Sequence, residues 1–259
     1  MNICLFKPEE INKPLSLTDE RGQHLVKILH KKEGDTFTAG IVDGKSGVAT
    51  ITQITDYISF TFEPTGEGKP LTSLKMIIGF PRPIQLKRLL RDIAGLGVCE
   101  VHLTGTELGE KSYMQSTLVE KGNAYKMLLD GTVQAGSTHV PQLYLHKTLK
   151  ECLDFCENQT EESRKHHTLR LALDNVNPAC SLNKALEDIP CMSCKNPCKE
   201  GKTVYAAIGS ERGWTEKERR LLEDYGYIRC GMGNRIMRTE TASTVAGAII
   251  LDKLGYMDV

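Results

Sequence analysis

At 259 residues the chain is long enough for one large domain or two small ones, each able to bury a core. Lysine plus arginine and aspartate plus glutamate both total 33, so no overall basic bias marks a nucleic-acid binder, and any such contact must come from a local patch. No apolar run approaches the ~20 residues that span a bilayer, and nine cysteines, an odd number, fit reduced thiols in a cytosol better than a disulfide framework.

The opening stretch MNICLFKPEE lacks a basic-then-apolar leader pattern, so a cytoplasmic protein is expected. As far as about Lys69, short β-like runs alternate with turns: Ile3 to Phe6, Thr36 to Val42, Val48 to Ile54 and Ile58 to Phe62, with Asp43-Gly44 as a tight turn. A small, mostly β domain follows from this. Thr18 to Leu29 reads as a helix with Leu25, Ile28 and Leu29 on one face. Its other positions, with the residues just beyond, make the densest positive cluster in the chain: Arg21, His24, Lys27, His30, Lys31 and Lys32. Such a cluster is either a solvated face or a patch that contacts phosphates without reading sequence.

Glu63 to Ser73 is rich in Pro, Gly and Thr and is the best linker candidate. Beyond it the pattern predicts a strand over Lys75 to Phe80, a helix over Ile84 to Leu96 and a strand over Val98 to Leu103. A longer helix is predicted over Thr117 to Gly136 and another around Leu149, Cys152, Leu153 and Cys156. Leu169 to Leu173 then reads as a buried strand that ends at Asp174 and Asn175. This strand and helix alternation predicts an α/β domain with a mainly parallel sheet and right-handed crossovers. Cys191, Cys194 and Cys198, with Cys180 upstream, start like a zinc knuckle. The second cysteine pair or histidine pair is missing, which favours thiols on a surface loop and no metal.

Two further strands empty into glycine loops. Thr203 to Ile208 ends at Gly209, and after Glu211 and Gly213 a capping box from Thr215 to Glu218 starts a helix. Tyr227 to Cys230 ends at Gly231; Gly233, Arg235 and Arg238 follow, and Thr239 reads as the N-cap of a helix carrying Ala242, Val245, Ala246, Ile249 and Ile250. In an open α/β sheet ligands bind outside the carboxyl ends of strands, so both loops are expected at one crevice, with the arginines and helix end favouring an anionic or electron-rich group. Gly231-Met-Gly233 begins like a dinucleotide fingerprint, but Ile236 stands where the third glycine belongs.

Ile208-Gly-Ser-Glu-Arg-Gly-Trp214 followed by Met232-Gly-Asn-Arg-Ile-Met-Arg-Thr-Glu-Thr-Ala242 resembles the paired signature of the RsmE-type ribosomal RNA methyltransferases of the SPOUT class. Ser210 and Arg212 depart from that family's usual Gly-Pro-Glu-Gly-Gly, while Gly209, Glu211 and Gly213 remain. The resemblance implies a PUA-like β-barrel over residues 1–71, where His24-Leu-Val-Lys-Ile-Leu29 is similar to a family stretch, and a trefoil-knotted domain with a mainly parallel sheet over 72–259. It implies S-adenosyl-L-methionine held by Leu173, Gly209, Glu211, Gly213, Met232, Gly233, Ile236, Met237, Arg238 and Thr239. It also implies methylation of a uridine N3 in small-subunit ribosomal RNA, with Arg238 stabilising charge and Glu240, or else Glu211, as base. Ribosomal RNA would meet Arg21, His24, Lys27, Lys31, Lys32 and Arg235, and a homodimer would pack on the small residues Ala242, Ala246, Gly247 and Ala248. Alternatives are a related enzyme acting on another RNA site, a catalytically silent RNA-binding module and a dehydrogenase using the Gly231 loop.

Overall fold

The computed structural model describes residues 2–116, 119, 122–160, 168–187 and 203–258. The chain divides into two compact units: Met1–Leu71 with Leu129–Val140, and Thr72–Leu128 with Pro141–Val259.

The first unit is one five-stranded sheet: β1 (Cys4–Phe6), β2 (Leu15–Ser16), β3 (Thr36–Ile41), β4 (Lys45–Ile54) and β5 (Tyr57–Glu67), in the order β1-β3-β4-β5-β2. All neighbours run antiparallel except β1 and β3. The Asp43-Gly44 turn joins β3 to β4, and Asp43 takes the left-handed φ of 56° that Asp tolerates in such turns. Phe6, Leu25, Phe37, Ile51 and Ile58 fill the core under the sheet.

Two expectations change here. The linker candidate begins inside β5, because Glu63, Pro64 and Gly66 pair with Val48, Gly47 and Ser46. Pro64 is tolerated beside an irregularity in register at Ser46/Gly47, where the ladder is already broken. Second, the helix predicted from Thr18 is α only over Glu20–Gln23, capped by Asp19, and continues as a π-helix over His24–Ile28. The wider π turn rotates the apolar residues apart: Leu25 is buried, whereas Ile28 is 64% and Leu29 43% exposed.

The second unit is a seven-stranded, all-parallel sheet: β6 (Leu74–Gly79), β7 (Glu100–Thr104), β8 (Gln142–His146), β9 (Thr168–Leu173), β10 (Cys180–Ser181), β11 (Thr203–Ile208) and β12 (Ile228–Gly231), in the order β10-β12-β9-β11-β6-β7-β8. The near-continuous apolar runs of β6, β9 and β11 suit strands covered on both faces. The helix Pro83–Gly95 buries Leu86, Leu89, Leu90 and Ile93, and the helix Thr239–Lys253 packs against it and β6. Gly247 lies in that contact, where a Cβ would come within 3.1 Å of Leu96 Cδ1 and the leucine would have to give by a few tenths of an ångström. The long helix is described over Asn123–Ala135; residues 117, 118, 120 and 121 of its expected start lie outside the described residues, as do Cys191, Cys194 and Cys198. Among the described residues no helix is long and apolar enough to cross a membrane.

Candidate functional site

Strands β12, β9 and β11 are spatial neighbours, and their last residues are level: Leu173 pairs with Ile208 on one side and Cys230 on the other. Because all three run parallel, the segments that follow them leave from one edge of the sheet. They enclose a cavity of about 290 Å³, near the lower end of the roughly 300–1,000 Å³ usual for ligand pockets.

Local geometry fixes the first loop. Ser210 and Gly213 form an isolated antiparallel bridge, the Gly213 N–H donates to the Ser210 carbonyl at 2.8 Å, and Gly213 takes a φ of 72°. A Cβ on Gly209 would sit 2.9 Å from the Gly213 carbonyl carbon, so both ends of this turn require glycine. Trp214, 2% exposed, anchors the loop by donating its indole N–H to the Leu173 carbonyl at 3.1 Å. Gly79, at the end of β6, would place a Cβ 2.5 Å from the Ser210 nitrogen, so that strand presses on the same loop.

The second loop is tied to the first through Thr239. Thr239 is not the N-cap: Arg238 holds that position without a side-chain cap bond, and the Thr239 hydroxyl, inside the first turn, donates to the Gly209 carbonyl at 3.4 Å. The capping box at Thr215 and Glu218 forms as expected, and the buried Glu218 also accepts the Glu107 N–H at 2.8 Å.

Both glycine loops therefore reach one cavity. Leu173, Gly209, Glu211 and Gly213 line it from the first side, and Met232, Gly233, Ile236, Met237 and Thr239 from the second. Arg235 lines it too and is exposed. Arg238 is exposed and Glu240 half-buried; neither is among the lining residues, although both flank them in the chain. The chemistry of the lining fits a nucleoside-bearing ligand. Ser210 Oγ is enclosed with no hydrogen-bond partner among the described residues, beside backbone groups of a glycine turn. Apolar Leu173, Ile236 and Met237 supply surface for a flat ring. Burial, with Cys180 adding to it, pushes the Cys230 thiol up to about 12, so Cys230 is a neutral part of the wall and no nucleophile near pH 7. On the rim, Glu211 pairs with Arg82 at 3.3 Å. Hydrogen bonding with Tyr113, then the Glu211 charge, hold the Arg82 guanidinium above its ordinary value.

Sequence reasoning missed the support beneath these loops. Asp174, whose side chain is 1% exposed, accepts from Arg219 Nε at 2.7 Å and lies 3.5 Å from Arg229 Nη1, and its own N–H donates to the Cys230 carbonyl. Its partners stand 45 and 55 residues away, so no local pattern announces them. A larger cavity of about 950 Å³ lies at the carboxyl ends of β6, β7 and β8. The motif loops converge on the smaller one, and that convergence decides which we read as the site.

In the first unit the basic cluster is split. Lys27 and Lys32 are exposed and Lys31 is half-buried. His24 is half-buried with Nε2 enclosed and unpartnered among the described residues. Arg21, grouped with them in the sequence, turns inward: it pairs with Asp19 at 2.8 Å and Glu10 at 3.0 Å, donates to the Leu5 carbonyl and lies over the Phe6 ring.

Residues 67–251 match the family described as RNA methyltransferase domain. A ribosomal RNA small subunit methyltransferase E from Treponema pallidum is 38% identical over 97% of this chain and 91% of its own length. A ribosomal RNA small subunit methyltransferase E 1 from Borreliella burgdorferi is 31% identical over 98% and 99%. The crystal structure of a ribosomal RNA small subunit methyltransferase E from Neisseria gonorrhoeae bound to S-adenosyl methionine superposes with a TM-score of 0.72 at 20% identity, over 97% of both chains, and so shares the fold. Paired glycine loops closing on one cavity, a family match across most of the chain and relatives covered nearly end to end lead to one assignment: this chain belongs to the RsmE-type RNA methyltransferases.

Proposed function

We propose that the protein is a methyltransferase dependent on S-adenosyl-L-methionine that modifies N3 of a uridine in small-subunit ribosomal RNA, in the cytoplasm. The observation that carries this reading is the meeting of the Gly209 and Gly233 loops at a cavity holding a buried Ser210 hydroxyl that has no hydrogen-bond partner among the described residues. When bound, S-adenosylmethionine supplies an electrophilic methyl group on a sulfonium. The backbone groups of the two loops and Ser210 Oγ would hold its adenosyl part, and Leu173, Met237 and the 84% exposed Ile236 would cover the ring and gain burial as they did so.

The uridine N3 carries a proton that must leave before the nitrogen can act as nucleophile. Arg238, exposed at the start of the last helix, is assigned to the negative charge that develops on the uracil oxygens, since a guanidinium stays protonated. Glu240, in the first turn of that helix, is assigned as base; Glu211 is engaged by Arg82 and is the second choice. The target base must leave its stack to reach the cavity. Lys27, Lys31, Lys32 and Arg235 are assigned to phosphates, and Arg21 to the fold of its own unit.

A knotted C-terminal segment, a PUA-like first unit and a homodimer complete the reading. Ala246 and Gly247 are buried within the chain and Ala242 lines the loop cavity, which leaves the half-buried Ala248 for a second copy. Transfer of labelled methyl groups to small subunits or their RNA, followed by mass mapping of the product nucleoside, tests the activity. Absence of N3-methyluridine with active transfer elsewhere would move the target but keep the enzyme. Arg238→Ala is expected to lower turnover by about 10²–10³ while calorimetric cofactor binding persists; normal turnover would remove Arg238 from its role.

A further inference from the structure

Away from the loop cavity, a second group of polar side chains is enclosed between β7, β8 and the helix Leu149–Gln159, and methyl transfer makes no use of it. His102 comes from β7 and His146 from β8, one diagonal step apart, since His102 pairs with Tyr144. Cys152 and Cys156 lie one helical turn apart on the helix that covers them. All four are buried, none more than 5% exposed.

The donor atoms converge. His102 Nδ1 lies 3.1 Å from His146 Nε2 and 3.9 Å from Cys156 Sγ. One donor atom each from His102, His146 and Cys152 lies within 4.8 Å of the other two. Two nitrogens bound to one tetrahedral zinc stand about 3.3 Å apart, and a nitrogen and a sulfur about 3.6 Å, from bond lengths of about 2.05 and 2.3 Å. The His102–His146 and His102–Cys156 separations are a few tenths of an ångström from those of a bound site, whereas the 4.8 Å span of the set with Cys152 leaves up to about 1 Å for that side chain to close on a metal.

The surroundings point the same way. His102 Nε2 is 3.1 Å from Glu100 Oε2, and Lys75 holds Glu100 at 2.7 Å. A carboxylate on the far nitrogen keeps the proton there and turns the Nδ1 lone pair toward the cluster, which is how metal-bound histidines are oriented. The Tyr144 ring stacks on His102 at 4.8 Å, and Phe155 lies 5.3 Å from His146, so two aromatic rings pack on the histidines beside that ion pair. Hydrogen bonds between the imidazoles, from Cys156 to His102 and between the two thiols already draw these four side chains together, and one metal would gather the same four donors at a single centre.

We propose that His102, His146, Cys152 and Cys156 bind one divalent transition metal of the zinc class. Four protein ligands leave no open position, so the site is structural, tying the outer strands of the sheet to the helix that covers them.

The full chain, purified without a histidine tag from zinc-supplemented cells, is expected to carry one zinc per chain. The thiols at Cys191, Cys194 and Cys198 are competing ligands, so the deciding protein is the triple variant Cys191→Ser, Cys194→Ser, Cys198→Ser, which leaves the buried four untouched. It should retain the zinc, take up cobalt(II) with the visible bands of a tetrahedral ion, and show two sulfur and two nitrogen ligands by X-ray absorption. A triple variant that binds neither metal, or zinc bound there without sulfur, overturns the proposal. Cys152→Ala with Cys156→Ala should lose the metal, and a folded double variant that keeps a full equivalent overturns it equally. If that double variant does not fold, X-ray absorption on the triple variant still decides.

Discussion

Asp174 both lines the loop cavity and holds it together. Its carboxylate neutralises Arg219 and Arg229 while its backbone ties β9 to β12, so it sets the floor under both loops. Asp174→Asn removes the charge-assisted hydrogen bonds while Arg229 keeps Glu223 and Arg219 keeps the more distant Glu216, so it is expected to cost about 1–3 kcal/mol in urea unfolding and to weaken cofactor binding; an unchanged midpoint would contradict this role. Asp19 makes a pH prediction in the other unit. The hydrogen bond from Arg21 holds its carboxyl below the usual range against the opposing effect of burial. A folded value below the unfolded one, about 3.9, means the contribution is present above that pH and lost as pH falls through the folded value. Acid titration of Asp19→Asn should therefore show a shallower loss of stability below about pH 4 than the parent chain. These networks were not legible in the sequence. Arg21 reads locally as one more exposed cation, and Glu10 and Leu5, brought beside it by folding, join the nearby Asp19 in turning it inward.

At the scale of elements, the parallel strands and the two glycine loops were legible because their signals are local. A short apolar run, a glycine where only glycine fits and a capping box each depend on a few adjacent residues, and β11, Gly209, Gly213 and Thr215 carry all of them. The cap at Thr239 was misread by one position because its hydroxyl serves the Gly209 carbonyl, a contact across 30 residues. The π turn at His24–Ile28 and the extension of β5 through Pro64 are tertiary choices that override local preference. The contact between β6 and the first loop gives an element-scale test. Gly79→Ala drives a methyl group toward the Ser210 backbone nitrogen, which cannot rotate away. Cofactor affinity should fall at least tenfold in calorimetric titration, and unchanged affinity would show that the loop yields freely.

For the whole molecule, even charge totals mean that RNA binding must be concentrated in patches. If Lys27 and Lys32 meet phosphates, alanine at either should weaken binding uniformly across RNA sequences and reduce the slope of log affinity against log salt by about one. An unaltered slope would make that face merely solvated. The sheet order carries a different consequence, for how the chain is made. β11 lies between β6 and β9, and Val204 pairs with Leu74 although most of the sheet's residues are synthesised between them. Until the ribosome has released residue 208, the apolar edge of β6 is an open template, and long-range parallel pairing is slow. The nascent chain therefore passes through a stage in which that edge of β6 is free to pair with the wrong partner.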